Sequence, residues 1–209
     1  KDSYTHRLRR PSFLLHFAFF FLCNMCPDLE KFFLITLGCK VNQYEAELMR
    51  ETLLGRGYLE TSVPEEAALC IVNTCTVTNS ADSKSLKAIR HFRQTNRMAK
   101  VIVTGCSTVA GADAIRKLVP DSTILPNADK ADILLVVDAA GQGERLKGIS
   151  KFSGHTKAFL KIQDGCDLYC AYCIIPFIRG KPRSKPLEDV LLEASALVNS
   201  RYKEIILTG

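Results

Sequence analysis

The stretch AALCIVNTC, residues 67–75, decides the fold because it is an apolar run of strand length. Similar runs lie at 31–38, KFFLITLG, and at 100–106, KVIVTGC. Segments with helical spacing follow these runs at 42–58, 79–96 and 110–120, and a further strand and helix are indicated at 122–127 and 128–141. Strands and helices that alternate in this way predict an α/β fold, with a parallel sheet covered by helices on both faces.

Three of the predicted strands end in a cysteine, at Cys39, Cys75 and Cys106. The carboxyl ends of parallel strands meet at one edge of a sheet, where α/β folds bind their ligands. We therefore predict that these thiols, the sheet-edge triad, converge on a shared site. The alternative is three unrelated cysteines that act as small buried apolar side chains, which is the role we assign to Cys70 inside its strand.

Composition indicates a globular protein with a substantial core, since 47% of the 209 residues are hydrophobic and 24% are charged. The formal net charge of +6 weakly favours an anionic partner such as nucleic acid. The nine cysteines are an odd number and lie among α/β-type patterns, which disfavours a secreted disulfide framework. We expect a cytoplasmic protein whose thiols bind metal.

Residues 1–30 are interpreted as an N-terminal extension of doubtful origin. The basic cluster and apolar run at 7–26, RLRRPSFLLHFAFFFLCNMC, follow the pattern of a signal peptide. The apolar run is short for a membrane span, so we expect no membrane association and interpret Met25 as a candidate first residue.

Two units are predicted for the remaining chain. An α/β domain spans 31–140, and the Gly-rich, polar segment 141–155 is predicted to be a linker. The second unit, 156–209, has a strand at 157–163, a helix at 186–201 and a strand at 203–209. This is the start of another parallel βαβ pattern.

The loop GCDLYCAYC, residues 165–173, brings Cys166, Cys170 and Cys173 together with C-x3-C-x2-C spacing. No fourth ligand lies nearby, whereas structural zinc prefers four protein ligands. On a [4Fe–4S] cluster, three cysteines, here the loop triad, leave one iron open for a substrate or cofactor. A zinc-bound nucleic-acid-binding module without catalysis remains an alternative. A thiol-disulfide protein is less compatible because the C-x2-C pair does not open a helix in the usual redox context.

The chain resembles the methylthiotransferase family of radical S-adenosylmethionine (SAM) enzymes over about 32–209. The resemblance is carried by TLGCKVNQYEAE at 36–47, VNTCTVTNSADSKS at 72–85, VTGC at 103–106 and KIQDGCDLYCAYCIIPFIRGKPRSKP at 161–186. It implies an N-terminal parallel-sheet α/β methylthiotransferase domain followed by the start of a radical SAM (β/α) partial barrel. Further barrel units and an RNA-binding domain would follow Gly209, so we expect the 209-residue chain alone to lack turnover.

The resemblance also implies cofactors and partners. The sheet-edge triad and the loop triad would each hold a [4Fe–4S] cluster, and SAM would bind the open iron of the loop cluster near Tyr172 and Gly209. The motifs are most similar to the branch that methylthiolates C2 of N6-threonylcarbamoyladenosine in tRNA, next to the anticodon. Isopentenyladenosine in tRNA and an aspartate of a ribosomal protein remain alternative substrates. An electron donor protein is an expected partner, and the oligomeric state is open.

Basic residues supply candidate RNA contacts. The predicted helix at 79–96, with Asn79 or Ser80 as its N-cap, and the turn after it carry Lys84, Lys87, Arg90, His91, Arg93, Arg97 and Lys100. This stripe would meet phosphates or form an ordinary solvated face. A second group follows the loop triad and would contact substrate or SAM: Arg179, Lys181, Arg183 and Lys185.

Overall fold

A computed structural model describes residues 30–137 and 146–209 of the chain. Its main sheet has five strands in the order β2-β1-β3-β4-β5, and all neighbouring pairs are parallel. The strands are β1 Lys31–Thr36, β2 Leu59–Glu60, β3 Leu69–Thr74, β4 Lys100–Gly105 and β5 Thr123–Ile124. The predicted α/β fold with a parallel sheet is therefore confirmed.

Helices connect these strands and cover both faces of the sheet. They are α1 Lys40–Gly55, α2 Asn79–Thr95, α3 Ser107–Ala110, α4 Ala112–Leu118 and α5 Ile133–Val137. Short 3-10 helices lie at Pro64–Glu66 and Asn127–Asp132. The side-chain oxygen of Thr78 accepts a hydrogen bond from the amide of Ala81, so Thr78 caps α2 in place of the predicted Asn79 or Ser80.

The central strand β3 is buried along its whole length, as expected for a parallel strand covered on both faces. Its side chains alternate between two apolar clusters because strand residues point to opposite faces in turn. Ile71 packs in the cluster that contains Met49 of α1. Cys70 and Val72 pack in the cluster that contains Phe92 of α2. The prediction that Cys70 is a core residue is confirmed.

The second unit consists of two small sheets and two helices. Its strands are β6 Ala158–Lys161, β7 Gln163–Asp164, β8 Arg183–Ser184 and β9 Ile205–Thr208, and its helices are α6 Ile175–Arg179 and α7 Leu187–Asn199. Strand β6 pairs with β9 in parallel, and β7 pairs with β8 in antiparallel orientation. The β6–α7–β9 order matches the βαβ pattern indicated by the sequence.

Helix α1 packs against both units. Its residues Ala46, Met49 and Leu53 lie in the core under the five-stranded sheet. Tyr44, from the same helix, packs in a separate cluster with Leu160 of β6. The small β6–β9 sheet is therefore fixed to the first unit through an apolar contact as well as through the chain.

The segment predicted to be a linker is anchored where the structure describes it. Ile149 and Phe152 are buried in the cluster around Tyr44. The Glu51 carboxylate on α1 accepts hydrogen bonds from the amides of Ser150 and Lys151, at 2.8 and 2.7 Å. Residues 146–157 therefore lack helix and strand, and residues 150, 151 and 153 bond to α1 through their amides.

Other differences from the sequence prediction are local. Strand β2 was not predicted, and β5 covers two residues of the predicted 122–127. The predicted helix at 128–141 is divided into a 3-10 turn and α5, and its predicted end at Gly141 lies outside the described residues. Cys23 and Cys26 also lie outside them. Within residues 30–137 and 146–209, no helix is both long enough and apolar enough to cross a membrane.

Candidate functional site

The sheet-edge triad lies where three neighbouring strands end. Cys39 is the residue before α1, Cys75 follows β3 directly, and Cys106 follows β4 directly. Pairing of Thr36 with Asn73 and of Asn73 with Thr104 brings the strand ends to the same level. The parallel register therefore places all three cysteines at one edge of the sheet.

Gly38 allows the backbone to approach Cys75 closely. Its φ of +105° lies in the region that L side chains rarely adopt. A Cβ atom at this position would lie 2.6 Å from the Sγ atom of Cys75. A side chain here would displace the thiol, so the glycine keeps the space around the sheet-edge triad open.

The thiols of this triad differ in exposure. Cys39 is exposed, whereas Cys75 and Cys106 are buried. Burial raises the pKa of the Cys106 thiol, and the nearby charges of Arg179 and Lys130 oppose that rise. Burial alone raises the pKa of Cys70 to about 11. Two cations thus act on a triad thiol and not on the core cysteine Cys70, which lies five residues before Cys75 near the amino end of β3.

The loop triad is arranged by the chain on both sides of it. The Cys166 amide donates to the carbonyl of Gly180, at 2.9 Å, and the Cys173 amide donates to the carbonyl of Cys170, at 2.9 Å. Gly165 has a φ of +80°, and a Cβ atom there would lie 2.3 Å from the carbonyl oxygen of Lys181. The loop is therefore held against the segment that follows α6.

The loop triad faces solvent more than the sheet-edge triad does. Cys170 is exposed, and Cys166 and Cys173 are half-buried. Tyr172, a predicted SAM contact, is 93% exposed. Gly209, the other predicted SAM contact, follows β9, and a Cβ atom there would lie 2.9 Å from Cβ of Gln163 on β7. The structure places both residues in the second unit with the loop triad.

The donor set of each triad is three thiols, the side-chain type that holds iron–sulfur clusters. All seven cysteines among the described residues are free thiols. In that same part of the chain, no group of three or more His, Cys, Asp or Glu side chains is close enough to hold one metal ion. A [4Fe–4S] cluster takes each thiolate on a different iron, and the three thiols of each triad together with the glycine beside each triad are compatible with such a group.

A buried ionic cluster lies between the two triads and was not predicted from the sequence. Its centre is Glu45 on α1, whose carboxylate accepts hydrogen bonds from Lys130 Nζ at 2.5 Å, Lys161 Nζ at 2.9 Å and Arg179 Nη1 at 2.8 Å. Asp164, two residues before Cys166, accepts a further bond from Arg179 Nη1 at 2.8 Å. The cluster joins side chains from both units.

Opposite charges in this cluster stabilise the ionised forms. Burial would raise the pKa of Glu45, but Lys130, Lys161 and Arg179 outweigh it and hold that pKa below its usual range. Burial would lower the pKa of Arg179, but Glu45 and Asp164 raise it instead. Glu45 and Arg179 therefore form a charged pair in the interior.

Arg179 is buried, which corrects the interpretation that all four basic residues after the loop triad are available for contact with substrate or SAM. Only 6% of its surface is exposed, and both of its Nη atoms donate hydrogen bonds to the buried cluster. Lys181 and Arg183 in the same segment are exposed, while Lys185 bonds to Glu193 and is half-buried. Only Lys181 and Arg183 of this group remain candidates for contact with an external anion.

The basic stripe on α2 is mostly exposed. Arg93 pairs with Asp121, and Lys100 donates to the carbonyl of Val136. The other members are exposed: Lys84, Lys87, Arg90, His91 and Arg97. Within the part of the chain that the structure describes, none of Lys84, Lys87, Arg90 and Arg97 has an ion-pair partner, so the stripe presents uncompensated positive charge.

These features define an α/β protein whose parallel sheet presents three thiols at one edge, next to a second unit with a three-cysteine loop. Comparison with known proteins places it more narrowly. Residues 31–136 match the family described as "Uncharacterized protein family UPF0004". The match covers half of the chain, and the chain belongs to this family.

Relatives with assigned names agree with the resemblance found in the sequence. "Threonylcarbamoyladenosine tRNA methylthiotransferase MtaB" of Chlamydia pneumoniae is 37% identical over 85% of this chain, and the protein of that name in Thermotoga maritima is 39% identical over 83%. A "tRNA-2-methylthio-N(6)-dimethylallyladenosine synthase" of Thermodesulfovibrio yellowstonii is 30% identical over 83%. The chain spans less than half the length of these relatives, 42% to 44%. The predicted similarity to methylthiotransferases is confirmed.

Proposed function

We propose that this chain serves in tRNA modification, as part of an enzyme that methylthiolates C2 of N6-threonylcarbamoyladenosine next to the anticodon. The observation that carries the proposal is the meeting of Cys39, Cys75 and Cys106 at one sheet edge, in a chain similar to relatives named for this reaction. Dimethylallyladenosine is the second candidate substrate because relatives named for it are 30% and 33% identical.

Each triad would hold one [4Fe–4S] cluster through three thiolates. When bound, the loop cluster together with SAM would supply one-electron radical chemistry, and the sheet-edge cluster would supply a sulfur site. Thiolates rather than thiols are the ligand form, and metal binding releases their protons. Arg179 and Lys130 favour the thiolate of buried Cys106, and their positive charge would offset the negative charge of a thiolate-bound group.

SAM would bind in the second unit. The exposed ring of Tyr172 lies one residue before Cys173, and Gly209 follows the end of β9. Ligands of open α/β sheets bind at the carboxyl ends of the strands. Strands β6 and β9 are parallel, so their carboxyl ends meet on the side of Gln163 and Gly209, which supports this placement.

The tRNA would be attracted by exposed positive charge. The basic stripe offers Lys84, Lys87 and Arg90 on α2 and Arg97 just after it, none with an ion-pair partner among the described residues. Contacts between such side chains and phosphates are independent of sequence and weaken with salt. We further propose an electron donor protein as a partner and the cytoplasm as the location.

The test is to measure iron, acid-labile sulfide and zinc per chain after anaerobic reconstitution. About eight irons with matching sulfide would support two clusters and the proposed enzyme. About four irons would leave one triad without its proposed role. Zinc without sulfide would overturn the proposal in favour of a nucleic-acid-binding module without catalysis.

Substrate identity needs a separate measurement. The intact enzyme that carries this chain is incubated with SAM, a reductant and tRNA that bears either threonylcarbamoyladenosine or dimethylallyladenosine. Nucleoside mass spectrometry then shows which base gains a methylthio group. Product from the threonylcarbamoyl substrate is expected, and product from the other substrate alone would favour the second candidate.

A further inference from the structure

Arg179 touches the supports of both cysteine triads. It is the last residue of α6, the short helix that begins two residues after Cys173. The carbonyl of Gly180, the next residue, accepts the hydrogen bond from the Cys166 amide. The Nη1 atom of Arg179 also donates a hydrogen bond to Asp164, two residues before Cys166. Arg179 is thus linked to the loop triad on both sides of the loop.

The same guanidinium reaches the sheet-edge triad through Asn42 of α1. Arg179 Nη2 donates to Asn42 Oδ1 at 2.8 Å. Asn42 Nδ2 in turn donates to the carbonyls of Leu37 and Thr74, at 2.9 and 2.7 Å. Leu37 lies two residues before Cys39, and Thr74 lies directly before Cys75.

The third cysteine of the edge is joined to this chain of bonds. The Thr74 carbonyl that accepts a hydrogen bond from Asn42 also accepts one from the Cys106 amide, at 3.1 Å. All the links lie in the interior, since Asn42 and Thr74 are fully buried and Arg179 is nearly so. A path of buried hydrogen bonds therefore runs from Cys106 through Thr74 and Asn42 to Arg179. From Arg179 a half-buried bond continues to Asp164, two residues before Cys166.

We infer that Arg179 is a positioning residue that sets the distance and orientation of the loop triad relative to the sheet-edge triad. The inference rests on the proposed function for its significance, because two cofactors that act on one substrate must be held at a fixed separation. The planar guanidinium donates hydrogen bonds to Asn42, Glu45 and Asp164 at once, whereas a lysine has a single ammonium group on a flexible side chain.

Removal of Arg179 should change the position of the loop without separating the units. Glu45 keeps Lys130 and Lys161 as partners, so its charge stays compensated. Tyr44 and Leu160 pack in the apolar cluster that fixes β6 to α1, and this cluster does not involve Arg179. A folded variant with a mobile loop triad is the expected result.

The experiment measures the distance between two spin labels by double electron–electron resonance, in the full chain with reduced thiols and no clusters. Labels are attached to para-acetylphenylalanine at Val109 and Phe177, so that the native cysteines stay free. Val109 is exposed on α3, three residues after Cys106. Phe177 is exposed on α6, two residues before Arg179, and the replacement keeps its aromatic ring.

The wild-type labels are expected to give one narrow distance distribution. In Arg179→Met the distribution should broaden by about twofold or split, because the loop then samples several positions. Arg183→Met is the matched control, since Arg183 is exposed and lies 3.8 Å from Asp164, and it should keep the wild-type distribution. Circular dichroism checks that each variant is folded.

A wild-type distribution in folded Arg179→Met would overturn the inference, and so would a broad distribution in the wild type. If Arg179→Met does not fold, Arg179→Lys decides, since it keeps a buried positive charge but loses the branched guanidinium. Broadening in that variant supports the inference, and an unchanged distribution overturns it. The measurement needs no cofactor, so its outcome is separate from the iron and sulfide analysis that tests the proposed function.

Discussion

Arg179 and Glu45 are 134 positions apart in the chain, yet Nη1 of the arginine lies 2.8 Å from Oε1 of the glutamate in the interior. The pair joins the helix that follows Cys39 to the helix that follows Cys173. Both groups are charged, and two lysines complete the surroundings of the carboxylate. The same ion pair that stabilises the fold therefore also connects the helix after the sheet-edge triad to the helix after the loop triad.

Loss of the Glu45 charge should be strongly destabilising. Glu45→Gln leaves Arg179 and Lys130 buried without their main counter-charge, and breaking a buried ion pair in this way costs about 3–5 kcal/mol. Urea unfolding of both proteins gives the difference. The control is Glu66→Gln, which breaks an exposed pair with Lys31 and should cost less than about 1 kcal/mol. Equal effects of the two substitutions would contradict the prediction.

Acid should weaken the same contact. The pKa of Glu45 is lowered in the folded state, so the folded protein binds fewer protons than the unfolded chain below the usual carboxyl pKa of about 4.3. The stabilisation is fully present above that pH and is lost as the pH falls through the lowered pKa. The groups that face the carboxylate are Lys130, Lys161 and Arg179, with Asp164 beside them.

The measurement for this prediction is the unfolding free energy of wild type and Glu45→Gln at several pH values between about 6 and 2. The difference between the two proteins should be largest near pH 6 and should shrink toward pH 2. A difference that stays constant over this range would show that Glu45 does not titrate with folding.

Gly38→Ala should disturb the sheet-edge triad selectively. The added Cβ atom would lie 2.6 Å from Cys75 Sγ, and the φ of +105° would strain any L side chain. We expect a loss of about four of the irons bound after reconstitution. Gly55→Ala at the end of α1 is the control because nothing lies within 4 Å of its added Cβ atom. Normal iron content in Gly38→Ala would exclude a cluster next to this glycine.

Two buried cysteines near β3 should behave differently. Cys75→Ala removes a proposed ligand at the sheet edge, so about four irons should be lost. Cys70→Ala removes a core thiol from the same strand and should leave the iron content unchanged. Cys170→Ala should remove the other half of the iron. Equal iron loss in Cys70→Ala and Cys75→Ala would indicate a folding effect rather than ligation.

The stripe on α2 should contribute to tRNA affinity. Lys87→Glu combined with Arg90→Glu reverses two exposed charges and should weaken binding by about tenfold at low salt, with a shallower salt dependence. Lys203→Glu reverses one exposed charge on the second unit and is the control for a charge reversal away from α2. Filter binding of a tRNA transcript gives the affinities. Unchanged affinity in the double variant would remove α2 from the interface.

Sequence patterns were sufficient to predict the parallel sheet and to find the cysteines of both triads. Apolar runs such as 67–75 mark buried strands, and a cysteine at a strand end is visible without any tertiary information. The pairing of Glu45 with Arg179 was not predictable, because a glutamate on an amphipathic helix has the same local pattern whether it is exposed or buried. Ile149 and Phe152 were missed for a related reason, since two apolar residues in a polar segment form no period.

The position of α1 between two apolar clusters has a consequence for the order of folding. Tyr44 and Leu160 lie far apart in the chain, and α1, which carries Tyr44, is also stabilised by its contact with the first sheet. Contacts that close long loops form late because their entropy cost precedes their gain. The first unit should therefore fold first, as it leaves the ribosome, and serve as a template on which β6 and α7 assemble.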